Sequence, residues 1–491
     1  MIPPRVALIT FGDARTHEWE HLFRGLTEPR HQEAVAYFQK LPVELLASPD
    51  VARLKDEIDG QVDRLRAKGA EALVAHVPCW TSPNLVVRGV QRMDLPTVLL
   101  SNKSPATHGT VGLLGAGGAL DQIGYPHLRI REAFSAGGED AIAEKVLPYV
   151  RAASTVARLR GKMFGLFGGR SLGIDTGTFD PMQWRRQFGV DVHHIDQLEI
   201  IRRADEVSDQ AAEEMTSWLE ASVGRVAYDG EALTRDKLTY QSRCYVATKE
   251  IIDDMGLDFV AIKCMPDLTN HYIPQCLTAA LLPGPFDFEG EKKPTVMACE
   301  ADGDAALTME ILKSVSGGKP VLFGDVSYID AETQTFYIPN CGGMCAWYAK
   351  RSDDPAENLR RVELRPSMRP SGRAITYLTA SPGPMTLARL YRRAGEYRMA
   401  ILSGEATEIS PEAYQDFVAA RGKHQLPTAF VKVSVDVDAF ISEFASNHIT
   451  GVAGSYTEEL EQVCQMLDIE PVVMTEPAPP CLSGTQFPGG G

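Results

Sequence analysis

The stretch PTVMACEADGDAALTMEILKSVSGGKPVLFGDVSYID, Pro294 to Asp330, decides the reading of this chain. A short apolar run, Thr295 to Ala298, has strand length and is followed at once by Glu300. Asp302 and Asp304 then sit where a helix favours acidic residues at its N-terminus. Ala305 to Val315 is helix-forming, with Leu307, Ile311 and Val315 at helical spacing, and Gly317-Gly318 ends it. A second apolar run, Pro320 to Phe323, stops at Gly324-Asp325. Strand–helix–strand with a crossover of this length predicts two parallel strands in one sheet. Glu300 and Asp325 would then share its C-terminal edge. Neighbouring strands lie about 5 Å apart, and two carboxylates that close need a cation or a shared proton between them.

Outward from this stretch, the alternation continues towards the N-terminus. Strands are expected at Arg5 to Thr10, Ala72 to Val77 and Pro96 to Leu100, then at Lys162 onward, Val190 to His194 and Phe259 to Ile262, with helices between them. That pattern means parallel sheets covered on both faces. Beyond Asp325 its character changes. Gln334 to Pro339, Ala374 to Thr379, Arg398 to Leu402 and Ala429 to Val435 are β-branched runs separated by Gly, Pro and Ser. The predicted architecture is α/β: two Rossmann-like parallel-sheet domains, 1–160 and 161–317, then a mostly β domain, 318–474, with a barrel as one possible form. The Pro/Gly-rich tail 475–491 reads as disordered.

Composition narrows the function classes. The chain has 491 residues, and its 65 acids against 49 bases give a net charge of −16. No basic stripe with interleaved aromatics breaks that balance, which argues against nucleic acid. No apolar run reaches the ~18 residues of a membrane span, and nothing resembles a signal peptide, so a cytoplasmic protein is expected. The nine cysteines are scattered, several in apolar settings (Cys79, Cys264, Cys299), as expected of reduced thiols. Cys341 and Cys345 lack the second pair of a structural zinc site. THGTVGLLGAGGALDQIG tempts a dinucleotide reading, but Gly115, Gly117 and Gly118 do not make G-x-G-x-x-G and do not follow the first strand. Small residues there suit close helix packing.

Taken together, GDAR, VPCW, GGRSLGI, CEADGDAALT, LFGDV and SNHITGVAGSYTEEL resemble the L-fucose isomerase family, in order and over the whole chain. The resemblance implies an aldose–ketose isomerase that works through a cis-enediol. It also implies a divalent metal, usually Mn²⁺, and a homo-oligomer with sites between subunits. It places Glu300, Asp325 and His448 as metal ligands, the two acids also as catalytic groups. Arg15 in GDAR, Trp80 in PCW (reaching a neighbouring subunit's site) and Leu172 in the glycine turn would line the sugar pocket. His108 has no clear counterpart. Two pocket positions depart from the family: Lys263 replaces a neutral amide and Arg373 a tyrosine, while NCGGMC replaces Asn-Ser-Gly-Ser. Cations beside a sugar are costly unless something anionic faces them. An anionic aldose such as sulfoquinovose, giving sulfofructose, would supply that charge; structural ion pairs, such as Lys263 with Asp267, are the other account. The alternatives are a neutral-sugar isomerase for L-fucose or D-arabinose, and a non-catalytic sugar-binding protein that would not need the acid–acid–histidine set.

Overall fold

The computed structural model describes residues 2–134, 140–420 and 425–474, so the expected disordered tail lies outside the described residues. The chain divides into two compact units, residues 1–158 with 458–467, and residues 159–457 with 468–491. Among the described residues no helix is long and apolar enough to cross a membrane.

The first unit is built on five parallel strands in the order Glu44–Ala47, Arg5–Thr10, Ala72–His76, Thr97–Ser101, His127–Arg131. The runs RVALIT, ALVAH and TVLLS lack polar alternation because helices cover both faces. Ala7, Ile9 and Leu73 face Ile58, Val62, Val90 and Leu113, whereas Val6, Leu8 and Val74 face Ala34, Phe38, Val146 and Val150. The glycine-rich run is the helix Gly109–Gln122. A Cβ at Gly112 would come within 2.8 Å of Val77 and 2.9 Å of the Cys79 carbonyl, so this helix sits against the chain at backbone distance.

The second unit holds a four-stranded parallel sheet in the order Met297–Ala298, Phe259–Ile262, Met163–Phe167, Asp191–Ile195. Beside it lies an eight-stranded, mainly antiparallel sheet. Its path runs Val321–Asp325, His448–Ala453, Gly383–Arg393, Glu396–Ala406, Thr428–Val433, Thr335–Pro339, Tyr328–Asp330, with Glu470–Val473 paired to Glu396–Ala406. Ala374–Tyr377, Glu363–Pro366 and Arg225–Val226 form a small third sheet. The α/β-plus-β architecture is therefore as the sequence suggests.

The deciding stretch folds differently from its reading in one respect. The strand Met297–Ala298 is parallel to Phe259–Ile262, but Val321–Asp325 belongs to the other sheet, antiparallel to His448–Ala453. The reason is the helix between them, Gly303–Val315. It is buried at every position except Ser314, too apolar all round to cover one sheet and face water. It packs against strands of both sheets and so carries the chain from one to the other. Glu300 and Asp325 still converge, from the edges of two sheets.

In the first unit, Thr10 and His76 end two adjacent strands, and the Thr10 hydroxyl bridges His31 Nδ1 at 2.9 Å and His76 Nδ1 at 3.0 Å. Burial, aided by the nearby His31 and Arg30, drives the His76 pKa down to about 3. Unfolded His76 takes up a proton below its ordinary pKa of about 6.5 while the folded residue refuses it, so stability falls by about 1.4 kcal/mol per pH unit from about 6.5 towards 3. Hydrogen exchange of the Arg5–Thr10 and Ala72–His76 peptides, corrected for intrinsic rates, should show protection lost between pH 7 and 5. His76→Asn should flatten that pH slope whatever its own cost. An unchanged slope would place the acid sensitivity elsewhere.

Candidate active site

Glu300 leaves the strand Met297–Ala298 in a tight turn. Glu300 and Ala301 both adopt left-handed conformations, at φ +58° and +55°, which side chains with a Cβ normally avoid. The turn is held by the Ala301 N–H donating to the Ile262 carbonyl at 2.8 Å. It ends on Asp302, whose Oδ1 accepts from the Ala305 N–H at 2.8 Å and caps the helix Gly303–Val315. The other oxygen, Oδ2, lies 2.7 Å from His448 Nδ1 and 2.8 Å from Arg389 Nη1. Asp302, His448 and Arg389 are all fully buried.

His448 opens the strand His448–Ala453 and pairs in register with Asp325, and the ring of Phe323 packs on its imidazole at 4.7 Å. With Nδ1 committed to Asp302, Nε2 faces the other way, 3.1 Å from Glu300 Oε2 and 3.5 Å from Asp325 Oδ1. The Asp325 side chain is 40% exposed, so the cluster opens to solvent on that side. Burial opposes the charge on Asp302, but Arg389 and His448 outweigh it and hold the carboxyl below its usual range. Burial likewise opposes a charged His448, yet the hydrogen bonds to Asp302 and Glu300 raise it to about 9. The carboxylates thus draw positive charge to Nε2.

That is the donor set a hard divalent cation takes: two carboxylates and an imidazole whose far nitrogen is fixed by a carboxylate. Among the described residues no group of three or more His, Cys, Asp or Glu side chains is placed to hold a metal ion as it stands, and Nε2 is hydrogen-bonded to Glu300. Adjacent ligands of an ion at about 2.1 Å are about 3 Å apart, which the separations of Nε2 from the two acids, 3.1 and 3.5 Å, approach.

The glycine turn after Met163–Phe167 is fastened nearby. Thr176 Oγ1 donates to Asn447 Oδ1 at 3.1 Å, and Arg389 Nη2 donates to the Thr176 carbonyl at 2.7 Å. Leu172, on this turn, is left-handed (φ +50°) and 56% exposed. Lys263 follows Phe259–Ile262 and lines a cavity of about 590 Å³ with Gly168, His194, Gln197, Asp267 and Tyr272. This cavity lies at the C-terminal ends of Asp191–Ile195, Met163–Phe167 and Phe259–Ile262, beside the point where the strand order reverses, and Glu300, Asp325 and His448 do not line it. Lys263 Nζ is 2.7 Å from Asp267 Oδ2, and that bond holds the Asp267 carboxyl below its usual range.

Arg373 does not line that cavity. It is left-handed at φ +80°, donates from Nη1 to the Ser371 carbonyl at 2.7 Å, and sits in the field of Tyr240 and Cys244, where burial works against its charge. Arg15 and Trp80 belong to the first unit, after its strands Arg5–Thr10 and Ala72–His76. Arg15 is half-exposed and paired with Asp13 at 2.6 Å and Glu18 at 3.2 Å. Trp80 packs with Trp19, Phe23 and Cys79, its indole N–H buried without a partner among the described residues. His108 takes the N-cap position of Gly109–Gln122 without a side-chain cap bond, its ring edge-on to Phe23.

Sequence reading missed three residues. Asp302 was legible only as a helix-start acid. Arg389 lies in GPMTLARLYRR, where no motif marks it, although one arginine flanked by Leu387 and Leu390 is the signal of an inward-facing charge. Asn447 precedes His448 and its role shows only through Thr176.

Comparison with known proteins identifies the family. Residues 4–161 match the model of the first N-terminal domain of L-fucose isomerase, and residues 338–475 that of its C-terminal domain, together more than half of the chain. A sulfoquinovose isomerase of Alkalicoccus urumqiensis is 23% identical over 89% of this chain and 91% of its own. One from Clostridium sp. (strain MSTE9) is 24% identical over 77% and 80%. An L-fucose isomerase of Vibrio vulnificus (strain YJ016) is 23% identical over 55% of this chain and 51% of its own. The chain belongs to the L-fucose isomerase family and is a sugar isomerase.

Proposed function

We propose that this isomerase is metal-dependent, holds Mn²⁺ or a similar divalent cation on Glu300, Asp325 and His448, and interconverts an anionic aldose and its ketose through a cis-enediol. Sulfoquinovose, giving sulfofructose, is the favoured substrate. The observation that carries the reading is the fixed imidazole: Asp302 claims Nδ1, so Nε2 can only face the two carboxylates. When bound, the cation supplies Lewis-acid polarisation of the sugar carbonyl and its neighbouring hydroxyl, which acidifies the C–H between them. One carboxylate then takes the proton from C2 and returns it to C1. The other shuttles the proton between O2 and O1. Phe323 and the buried Asp302–Arg389 pair keep the imidazole from turning.

Two facts support an anionic substrate. Lys263 stands at the strand-order crevice of the parallel sheet, and the relatives aligned over most of their length are named sulfoquinovose isomerases. A neutral substrate such as L-fucose or D-arabinose is the second reading, favoured by the Lys263–Asp267 contact, which already satisfies the cation.

Glu300→Gln and Asp325→Asn should each lower kcat by about 10²–10⁴-fold with the fold intact, since each loses a proton acceptor of full charge. Turnover and metal content are measured together. Near-normal kcat in Glu300→Gln with metal still bound would assign the base elsewhere.

The substrate is tested with sulfoquinovose, L-fucose and D-arabinose on the wild type and on Lys263→Met. A charge-assisted hydrogen bond is worth about 1.5–3 kcal/mol, so KM for the sulfo sugar should rise roughly tenfold or more while neutral sugars are unaffected. Equal losses on all sugars would overturn the anionic reading and leave the isomerase in place.

We extend the proposal to a working homo-oligomer, as the resemblance to the L-fucose isomerase family implies. Sedimentation at micromolar concentration should show the assembly. A fully active monomer would refute it.

A further inference from the structure

Two acids flank Gly303 at the start of the helix Gly303–Val315, and the site described above uses only the first. Asp304 is buried like Asp302, and its partners are as specific. Its Oδ1 accepts from the Tyr397 hydroxyl at 2.7 Å, and that hydroxyl accepts from the Trp184 indole N–H at 2.8 Å. Its Oδ2 lies 3.5 Å from Arg392 Nε. Arg392 shares the strand Gly383–Arg393 with Arg389, and its Nη2 donates to the Thr178 carbonyl, with the Thr178 hydroxyl at 3.3 Å. Arg389 Nη2 holds the Thr176 carbonyl at 2.7 Å. Each acid beside Gly303 is thus paired with an arginine, and each arginine grips a carbonyl of the same turn.

That turn, Asp175–Gly177, lies directly on the helix start. A Cβ on Gly177 would stand 3.1 Å from Asp302 Cα, and one on Gly303 would stand 2.2 Å from the Phe179 ring. Phe179 stacks on Trp184 at 4.3 Å. Thr176 Oγ1 holds Asn447, the residue before His448. The turn therefore covers the Asp302–His448 contact. Lifting it would admit water and weaken that contact, because a charged pair is held far less firmly in water.

The two clamps differ in what they can do. Arg389 is fully buried and divided between Asp302 and Thr176, so it has nowhere to turn. Arg392 is 24% exposed and can take its charge to water once Asp304 no longer holds it. Burial pushes the Asp304 carboxyl up to about 7; Arg389, Tyr397 and Arg392 pull against that rise and Asp302 adds to it. These are the ionisable groups that bear on Asp304 from its own helix and from the two strands packed against it.

We propose that Asp304 is a positioning residue of the isomerase: its carboxylate holds Arg392 on Thr178 and so keeps the turn Asp175–Gly177 seated over the Asp302–His448 contact, and its protonation releases the turn. The inference rests on the catalytic place given to His448 above. Asp304 takes one proton from solvent, and Arg392 turns outward with its charge unchanged. Since the folded pKa lies above the ordinary 3.8, Asp304 binds that proton more readily folded than unfolded, so its protonation opens the turn without itself unfolding the unit.

The test uses the full-length isomerase and follows kcat/KM, on whichever of sulfoquinovose and L-fucose it turns over, across neutral pH. Hydrogen exchange of peptides covering 171–180, corrected for intrinsic rates, is followed alongside. In the wild type both turn protection and kcat/KM should fall in step as pH drops through neutrality, kcat/KM by about tenfold or more, the effect of losing one charged contact. Asp304→Asn, neutral at every pH, should show the open turn and the low kcat/KM already in mild alkali, with no further step on acidification. Tyr397→Phe removes a hydrogen bond that favours the carboxylate and should move both transitions to higher pH. Arg393→Met, which loses only a surface pair with Glu443, should behave as the wild type. Equal acid responses in wild type and Asp304→Asn, or a wild-type turn that opens while activity holds, overturn the proposal. Unshifted transitions in Tyr397→Phe do so even where Asp304→Asn fails to fold. The exchange readout needs neither sugar nor metal, which separates a failure here from a failure of the function proposed above.

Discussion

The second unit depends on one buried carboxylate. Asp302 caps the helix Gly303–Val315 with one oxygen and holds both His448 and Arg389 with the other, and none of the three is exposed. Taking such charges out of water costs several kcal/mol each, which only good geometry and further hydrogen bonds offset. Those further bonds are present. Arg389 Nη2 reaches the Thr176 carbonyl, and the imidazole's second nitrogen reaches Glu300. Removing one partner of such a pair costs about 3–5 kcal/mol because the other is left charged and dry. A hydrophobic triad of equal volume could hold the elements together. It would not fix which nitrogen of His448 faces Glu300 and Asp325.

The same carboxylate explains where the strain sits. Two consecutive left-handed residues, Glu300 and Ala301, cost roughly 1–3 kcal/mol each. They turn the chain so that Glu300 points to Nε2 while Asp302, two residues on, meets Nδ1 of the same ring. A continuous helix or strand through 300–302 would not bring Glu300 and Asp302 to the two nitrogens of one ring.

What was legible in the sequence follows from this physics. Strands buried on both faces, such as RVALIT and FVAI, announce themselves because nothing polar interrupts them. Gly383–Arg393, eleven residues long and central to the large sheet, did not, because Arg389, Arg392 and Arg393 make it look like surface. Arg389 is buried only because Asp302, distant in sequence, neutralises it, and no local window contains both. The assignment of Val321–Asp325 to the same parallel sheet as Met297–Ala298 failed for a related reason. Crossover length limits how two strands can pair within one sheet, but it does not reveal that a helix is covered by a second sheet. Glu300, Asp325 and His448 were readable as a set through family resemblance, whereas the residue that orients them was visible only as a cap.

Charge at the Lys263 cavity follows from magnitudes. A chain of net charge −16 repels an anionic sugar at long range, although salt screens that field beyond about 8–10 Å. Any preference for an anion must therefore arise locally. Lys263 is held by Asp267, whose side chain is 44% exposed, and pairs open to water contribute only about 0–1 kcal/mol. A sulfonate entering the cavity would displace or share that contact at small cost and gain a charged hydrogen bond. A hydroxyl in the same place could not compete with the carboxylate and would leave the pair closed. Under the proposed function, a weak, exposed ion pair beside this cavity would discriminate between substrates better than a free lysine, because only a charged group could open it.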